Sequence, residues 1–426
     1  MSTDLAAYVG EHRESLAQLA AELVRIPSEN RPPVGAERAC QEWIAARLDG
    51  LGWEVDLYGL DEVPGLNQHP LFWPGRDYTG RPNVGARRRG AGGGRSLLLS
   101  GHIDTVPRGE AAWTHDPFGA GSTDGRLYGR GALDMKAGVA TALFVAEALD
   151  RLNLRLDGDL LIESVVDEEF GGVNGTLAGR LRGFNADAAI IGEPTGLRIC
   201  PAQRGGRLAH LTFRAPGDIF GDEQAPGAID QVRCFLDELP RFAEVRQRRA
   251  PIHPLYAHLR ERAPVSVTRI STASWGTSEP IAVPLSCRFE LYWQAVPGET
   301  QQDVENDFTE WFDALITAHP RLFAVRPELV YPIRWLPGSA LAPEEPLVAE
   351  LAACAHEALD CPPPIQGIEA PCDMFVFHQA FGTPAVLWGA RGANAHAPDE
   401  YVELDSLAAA AEVLLRFVCQ WCGVAS

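Results

Sequence analysis

A chain of 426 residues is longer than one ordinary hydrophobic core accommodates, so two domains are expected, one of them able to interrupt the other. With 46% hydrophobic and 22% charged residues the composition is that of a soluble globular protein, not a disordered one. A formal charge of −20 argues against nucleic acid or an anionic membrane surface as the main partner.

In chain order, residues 5–25 and 36–50 have the periodicity of amphipathic helices, and a strand is predicted at 52–58. Residues 1–25 carry interspersed acidic groups and lack the apolar core of a signal peptide. No apolar run approaches the ~20 residues that span a bilayer. Residues 63–95 are rich in Pro and Gly and hold Phe72, Trp73 and an arginine run at 87–89. The GAGGG at 90–94 lacks the Lys-Ser/Thr partner of a phosphate loop and reads as a turn. The continuous apolar run at 96–101 suits a buried parallel strand, and the pattern repeats as helix 136–151, strand 159–166, helix 174–182 and strand 187–191. Such alternation implies an α/β sheet covered on both faces.

The character changes near residue 200. Strand 207–214, helix 227–243, strands 265–271 and 281–293, helix 301–318 and strand 323–331 follow in the β-α-β-β-α-β order of a ferredoxin-like unit. A helix at 345–359, a buried strand at 386–389 and a last helix at 405–421 return to the first pattern. The reading is an α/β domain at 1–202 and 336–426, interrupted at 203–335 by a smaller α+β domain. Nine scattered cysteines, including a lone C-x-x-C at Cys419 and Cys422, give no disulfide framework and read as reduced thiols of a cytoplasmic protein. Lys136 is the only lysine; all the other basic residues are arginines.

Five segments place ionisable groups just after an apolar strand or in an adjoining loop, where ligands bind in open α/β sheets. They are SGHIDTVP with His102 and Asp104, GRGALDMKAG with Asp134, VVDEEFGG with Glu168 and Glu169, IIGEPTG with Glu193, and NAHAPDEY with His396. Singly, each has an ordinary reading. His102 could be a satisfied structural imidazole, Asp134 a helix cap, the two glutamates a solvated turn and Glu193 an acid before a proline turn. Together they supply two imidazoles and three carboxylates besides Glu168, the mixed nitrogen and oxygen set expected for zinc. Asp104, two residues beyond His102, suits an acceptor that fixes the imidazole tautomer.

In this order and spacing the five segments resemble the signatures of the zinc exopeptidase and deacylase family that includes acetylornithine deacetylase, succinyl-diaminopimelate desuccinylase, aminoacylase and the glutamate-releasing carboxypeptidase. The resemblance implies a catalytic α/β domain with an inserted lid and a cis peptide at Asp134–Met135. It implies two divalent ions, zinc first with cobalt or manganese as alternatives. Asp134 would bridge them, His102 and Glu193 would complete one site, and Glu169 and His396 the other. Glu168 would be the general base toward a water whose pKa a metal can lower to about 7. The implied reaction is hydrolysis of the amide of an N-acyl amino acid or related small molecule. A dipeptidase, a carboxypeptidase, or a metal-binding protein with a decayed substrate site are the other readings. Relatives often dimerise through the inserted domain, so a homodimer is a further implication.

The inserted domain departs from the family pattern. The lid histidine, the asparagine before a Val-Pro pair and the arginine that grips a substrate carboxylate align with Phe220, Ile281 and Gln294. Replacements could come from His210, the arginines at 87–89 or Arg391, with Phe72 and Trp73 offering apolar contact. The expected substrate is then bulkier or less anionic on its amine side.

Overall fold

The computed structural model describes residues 5–215, 226–272 and 284–425. The chain forms two compact units, Met1–Ala202 with Ala340–Ile368 and Cys372–Ser426, and Gln203–Ser339 with Glu369–Pro371. The first is an α/β unit, and the second, which interrupts it, is a smaller α+β unit.

A six-stranded sheet organises the first unit, in the order Ala385–Leu387, Ala188–Ile191, Leu97–His102, Leu160–Val165, Asn83–Arg88, Glu54–Tyr58. The first four strands run parallel, and the last two pair antiparallel. Alternate side chains explain why the central strands read as continuous apolar runs. Leu97, Leu99, Leu160, Ile162 and Ile190 enter one core, packed with helices Arg13–Arg25, Lys136–Arg151 and Leu404–Cys422, while Leu98, Leu161, Ala189 and Ile191 enter another with Met374 and Phe377. Both faces are buried, so neither shows a polar stripe. From Leu97–His102 the chain steps to a neighbour on one side, Leu160–Val165, and then to one on the other, Ala188–Ile191. The crevice at such a reversal is where α/β sheets bind ligands.

Elements of this unit differ from the sequence reading. The helix expected over 5–25 is broken at His12 into Leu5–Glu11 and Arg13–Arg25; the His12 ring turns back to stack on Tyr8, with its Nδ1 2.9 Å from the Tyr8 carbonyl oxygen. The strand Asn83–Arg88 lies in what read as a loop. A glycine and two arginines within six residues hide it, yet Gly85 is a packing requirement, because a Cβ there would meet the Phe184 ring at 2.2 Å.

The second unit is a four-stranded antiparallel sheet, ordered Val265–Ser271, Ser286–Ala295, Gly205–Arg214, Glu328–Val330, with helices Ala228–Arg249 and Gln301–Ala318. Numbered along the chain this is 2-3-1-4, the ferredoxin-like order. Leu211, Phe213, Phe289, Leu291 and Trp293 alternate into a core with Phe235, Phe242, Phe308 and Phe312 of the helices. The last strand is shorter than the expected 323–331, since Pro327 has no amide to offer a ladder just before it. Phe220 and Ile281 lie outside the described residues.

Candidate metal centre

Three of the five segments end adjacent parallel strands. His102 closes Leu97–His102, Glu168 and Glu169 follow Leu160–Val165, and Glu193 follows Ala188–Ile191. Asp134 immediately precedes helix Lys136–Arg151, across the cis peptide Asp134–Met135. A Cβ on Gly138 would lie 2.0 Å from the Gly192 carbonyl oxygen, so only glycine lets this helix approach the loop that carries Glu193. His396 stands in a turn in which Asn394, His396 and Asp399 all have positive φ, at 63°, 62° and 56°.

The side chains meet around Asp134 in two groups. His102 Nε2 is 3.2 Å from Asp134 Oδ1, 3.7 Å from Glu193 Oε1 and 3.9 Å from Glu168 Oε2. His396 Nε2 is 3.3 Å from Asp134 Oδ2 and 2.9 Å from Glu169 Oε2. One ligand atom from each of His102, Asp134 and Glu169 fits within 4.8 Å of the others. Each oxygen of Asp134 thus faces a different imidazole.

Charge in this cluster is unbalanced. Burial pushes Glu169 up to about 7, with the Asp134 charge adding and His396 opposing. Burial also raises Glu168 and Glu193 well above the carboxylate range, the first opposed by His102 and reinforced by Glu193, the second reinforced by Asp134. Hydrogen bonds that the His396 ring donates to Asp134 and Glu169 lift it to about 11. Among the described residues no Lys or Arg forms an ion pair with Asp134, Glu168, Glu169 or Glu193. Buried carboxylates without fixed cations are costly, and oxygen-rich donors beside imidazole nitrogens are what divalent ions bind. The residues fit a metal centre.

Asp104 acts differently from the expectation. The His102 Nδ1 hydrogen bond is to the Asp104 main-chain oxygen, at 2.9 Å, while the carboxylate stands 3.6 Å away. That carboxylate instead accepts from the amides of Glu168 and Glu169 and from Asn30 Nδ2 at 2.8 Å. It braces the glutamate loop, while the backbone orients the imidazole. Asn30 also donates to Asp167, which Tyr78 bonds at 2.6 Å and Arg76 and Arg81 approach at 3.4 and 3.7 Å. Asp373, buried and bonded by Thr176, was not anticipated either; nothing in its APCDMF context marks it.

Of the expected replacements, His210 pairs with Glu290 at 2.9 Å and Arg89 with Glu54 at 2.7 Å, so both are already engaged. The Trp73 amide donates to Asn174 and its ring lies under Arg76, while Phe72 packs on the main core. None of these residues contacts the His102–His396 cluster through a hydrogen bond or ion pair among the described residues.

The geometry agrees with the comparisons to known proteins. Residues 98–420 match the model of peptidase family M20/M25/M40. The chain belongs to this family. An acetylornithine deacetylase of Myxococcus xanthus is 30% identical over 90% of this chain and 92% of its own. The N-formyl-4-amino-5-aminomethyl-2-methylpyrimidine deformylase of Bacillus subtilis is 27% identical over 97% of this chain and 96% of its own. The fold is that of the dipeptidase Dug1p from Saccharomyces cerevisiae, with a TM-score of 0.76 at 14% identity over 99% of each chain. Human carnosine dipeptidase 1 matches with a TM-score of 0.71 at 17% identity, covering 98% of this chain and 99% of that one. As an M20-family protein the chain is a hydrolase of carbon–nitrogen bonds, in a family that includes a dinuclear metal-binding peptidase from Bacillus subtilis. No helix among the described residues is long and apolar enough to cross a membrane.

Proposed function

We propose that the chain removes an acyl group from the nitrogen of a small amine, using two divalent ions. The observation that carries this reading is the meeting of four buried or half-buried carboxylates and two imidazoles with no arginine or lysine among them. His102 and Glu193 would hold one ion and His396 and Glu169 the other, with Asp134 between them. Zinc is the first choice for such a donor set, and cobalt or manganese the alternatives. When bound, the ions supply Lewis-acid polarisation of the acyl oxygen and an activated water. Glu168 is the general base. It takes a proton as water adds to the acyl carbon and returns it to nitrogen as the C–N bond breaks, releasing carboxylic acid and amine.

The amine side of the substrate carries no carboxylate. Where the resemblance assigns a carboxylate-gripping arginine, Gln294 has both ends of its amide committed. Its Oε1 accepts from Arg204 Nη1 at 2.5 Å and its Nε2 donates to the Glu369 carbonyl at 2.7 Å. Arg204 spends its other terminal nitrogen on the Glu261 carbonyl at 2.6 Å. A neutral, engaged amide does not reproduce a bidentate arginine contact. The B. subtilis relative, named for an N-formyl aminomethylpyrimidine, is consistent, since that compound is an amide of a heterocyclic amine without a carboxyl group. Cys40, Cys234, Cys287, Cys354, Cys361, Cys419 and Cys422 form no disulfide, which fits the cytoplasm.

The deciding comparison is kcat/KM for N-formyl and N-acetyl aminomethyl heterocycles against N-acetylornithine, with the zinc-loaded enzyme. The heterocycles should be preferred. Preference for the free amino acid derivative by more than about 2 kcal/mol of transition-state binding would reject the substrate assignment.

A further inference from the structure

Glu400 is 1% exposed and lies four residues beyond His396. Its Oε2 accepts from Arg130 Nη1 at 2.6 Å and the Gly131 amide at 3.0 Å, and its Oε1 from the amides of Leu133 and Asp134, both at 3.0 Å. Its main-chain oxygen takes the Gly129 amide at 2.9 Å. One ionised carboxylate offers about four acceptor sites, so the side chain is fully used on the segment that leads into Asp134. Arg130 extends the link to the other side, donating through Nη2 to the Ala397 carbonyl at 3.4 Å, beside His396.

The far end of the same segment is tied as well. Lys136, fully buried, donates to the Leu23 and Ile26 carbonyls at 2.9 and 2.7 Å, at the C-terminal end of helix Arg13–Arg25. Cys40 Sγ donates to the Ile26 carbonyl too, at 3.2 Å. A compact ammonium on a flexible stem suits two converging carbonyls in a closed space, where a planar five-donor guanidinium does not. A chain that uses arginine at every other basic position keeps its one lysine here.

We propose that Glu400 and Lys136 are positioning residues that clamp residues 130–136 from both ends, and that the Glu400–Arg130 link sets Asp134 and His396 at the separation a shared pair of divalent ions requires. This rests on the two-ion reading above. Neither residue touches the substrate or the ions. Their effect passes through the direction of the Asp134 carboxylate and the seat of the His396 turn.

The test uses full-length Glu400→Asp, which keeps the charge but retracts it by one methylene, and Lys136→Arg, which keeps the charge but changes its shape. Divalent content, zinc affinity by calorimetric titration, the visible spectrum of the cobalt-loaded protein and Tm are measured for each. Glu400→Asp should weaken the more loosely held ion about 10- to 100-fold, the usual range for groups that orient metal ligands, and shift the cobalt spectrum while the chain stays folded. Lys136→Arg should change both readouts in the same direction and less. Should Glu400→Asp not fold, Arg130→Lys reads the same link, since it removes the Ala397 contact and leaves three main-chain bonds on Glu400. If the variants lose only Tm, binding two ions within about threefold of the parent with an unchanged cobalt spectrum, the residues merely hold the fold and the proposal fails. If the parent itself binds no second ion, the two-ion reading falls first and the clamp with it.

Discussion

The candidate metal centre of the first unit and the arginine network of the second use buried charge in opposite ways. Around Asp134, carboxylates are gathered with two imidazoles and, among the described residues, no paired Lys or Arg. In the inserted unit, buried Arg246 is matched by Asp307 at 2.5 Å and Glu299 at 2.8 Å, and Arg207 by Glu305 at 2.8 Å. The second arrangement is complete within the chain and holds helices to a sheet. The first is incomplete without a cation: desolvated anions are stabilised by opposite charge, by hydrogen-bond donors or by protonation, and among the described residues no Lys or Arg pairs with these carboxylates. An unbalanced buried cluster therefore marks chemistry, and a balanced one marks architecture.

The most forceful way to break this contrast is to remove divalent ions. Exhaustive chelation should abolish turnover and lower Tm, and zinc should restore both. Activity that survives chelation, measured alongside metal content, would put the centre in the same class as the arginine network. Next in size is Asp307→Ala, which leaves Arg246 with the Glu299 carboxylate and the Gln294 carbonyl. It should cost about 3 kcal/mol of stability, the low end for a broken buried pair, with metal stoichiometry unchanged. Denaturant titration and metal analysis of the variant check both halves; loss of metal would merge the two networks.

Glu168→Gln sharpens the comparison inside the centre itself. Turnover should drop by at least ~10²-fold with metal content retained, as for a lost general base. Glu169→Gln should instead weaken metal binding, and an exchange of the two phenotypes would reverse their roles. The smallest effect is expected from Gln294→Arg. A new hydrogen bond to a charged group contributes roughly 1.5 kcal/mol or more, so relative kcat/KM for a carboxylate-bearing substrate should rise about tenfold. An unaltered ratio between the free acid and its amide would mean that position 294 does not read that group.

Much of the candidate centre is legible because each group lies in a short segment, and three of the five segments end a strand. An apolar run followed by His-x-Asp or Asp-Glu-Glu already says which end of which strand carries the group. Glu400 sat in plain view within NAHAPDEY, yet its partners at 130–134 are some 270 residues away in sequence, and no local pattern reveals that pairing. The same holds for Asn30, whose amide joins Asp104 to Asp167. The strand at 83–88 was missed because its glycine and arginines answer to the Phe184 ring and the sheet, not to strand propensity.

By itself, then, the sequence determined the alternation of strands and helices, the interrupting ferredoxin-like unit and the list of candidate ligands, since these follow from periodicity and from contacts close along the chain. Tertiary structure decided how the candidate ligands divide, with Asp134 Oδ1 toward His102 and Oδ2 toward His396. It also decided that Asp104 braces a loop while its backbone orients the imidazole, and that Gln294 is already engaged. Those outcomes depend on hydrogen bonds between segments tens to hundreds of residues apart. Their directions are fixed only when the sheet brings the strand ends together.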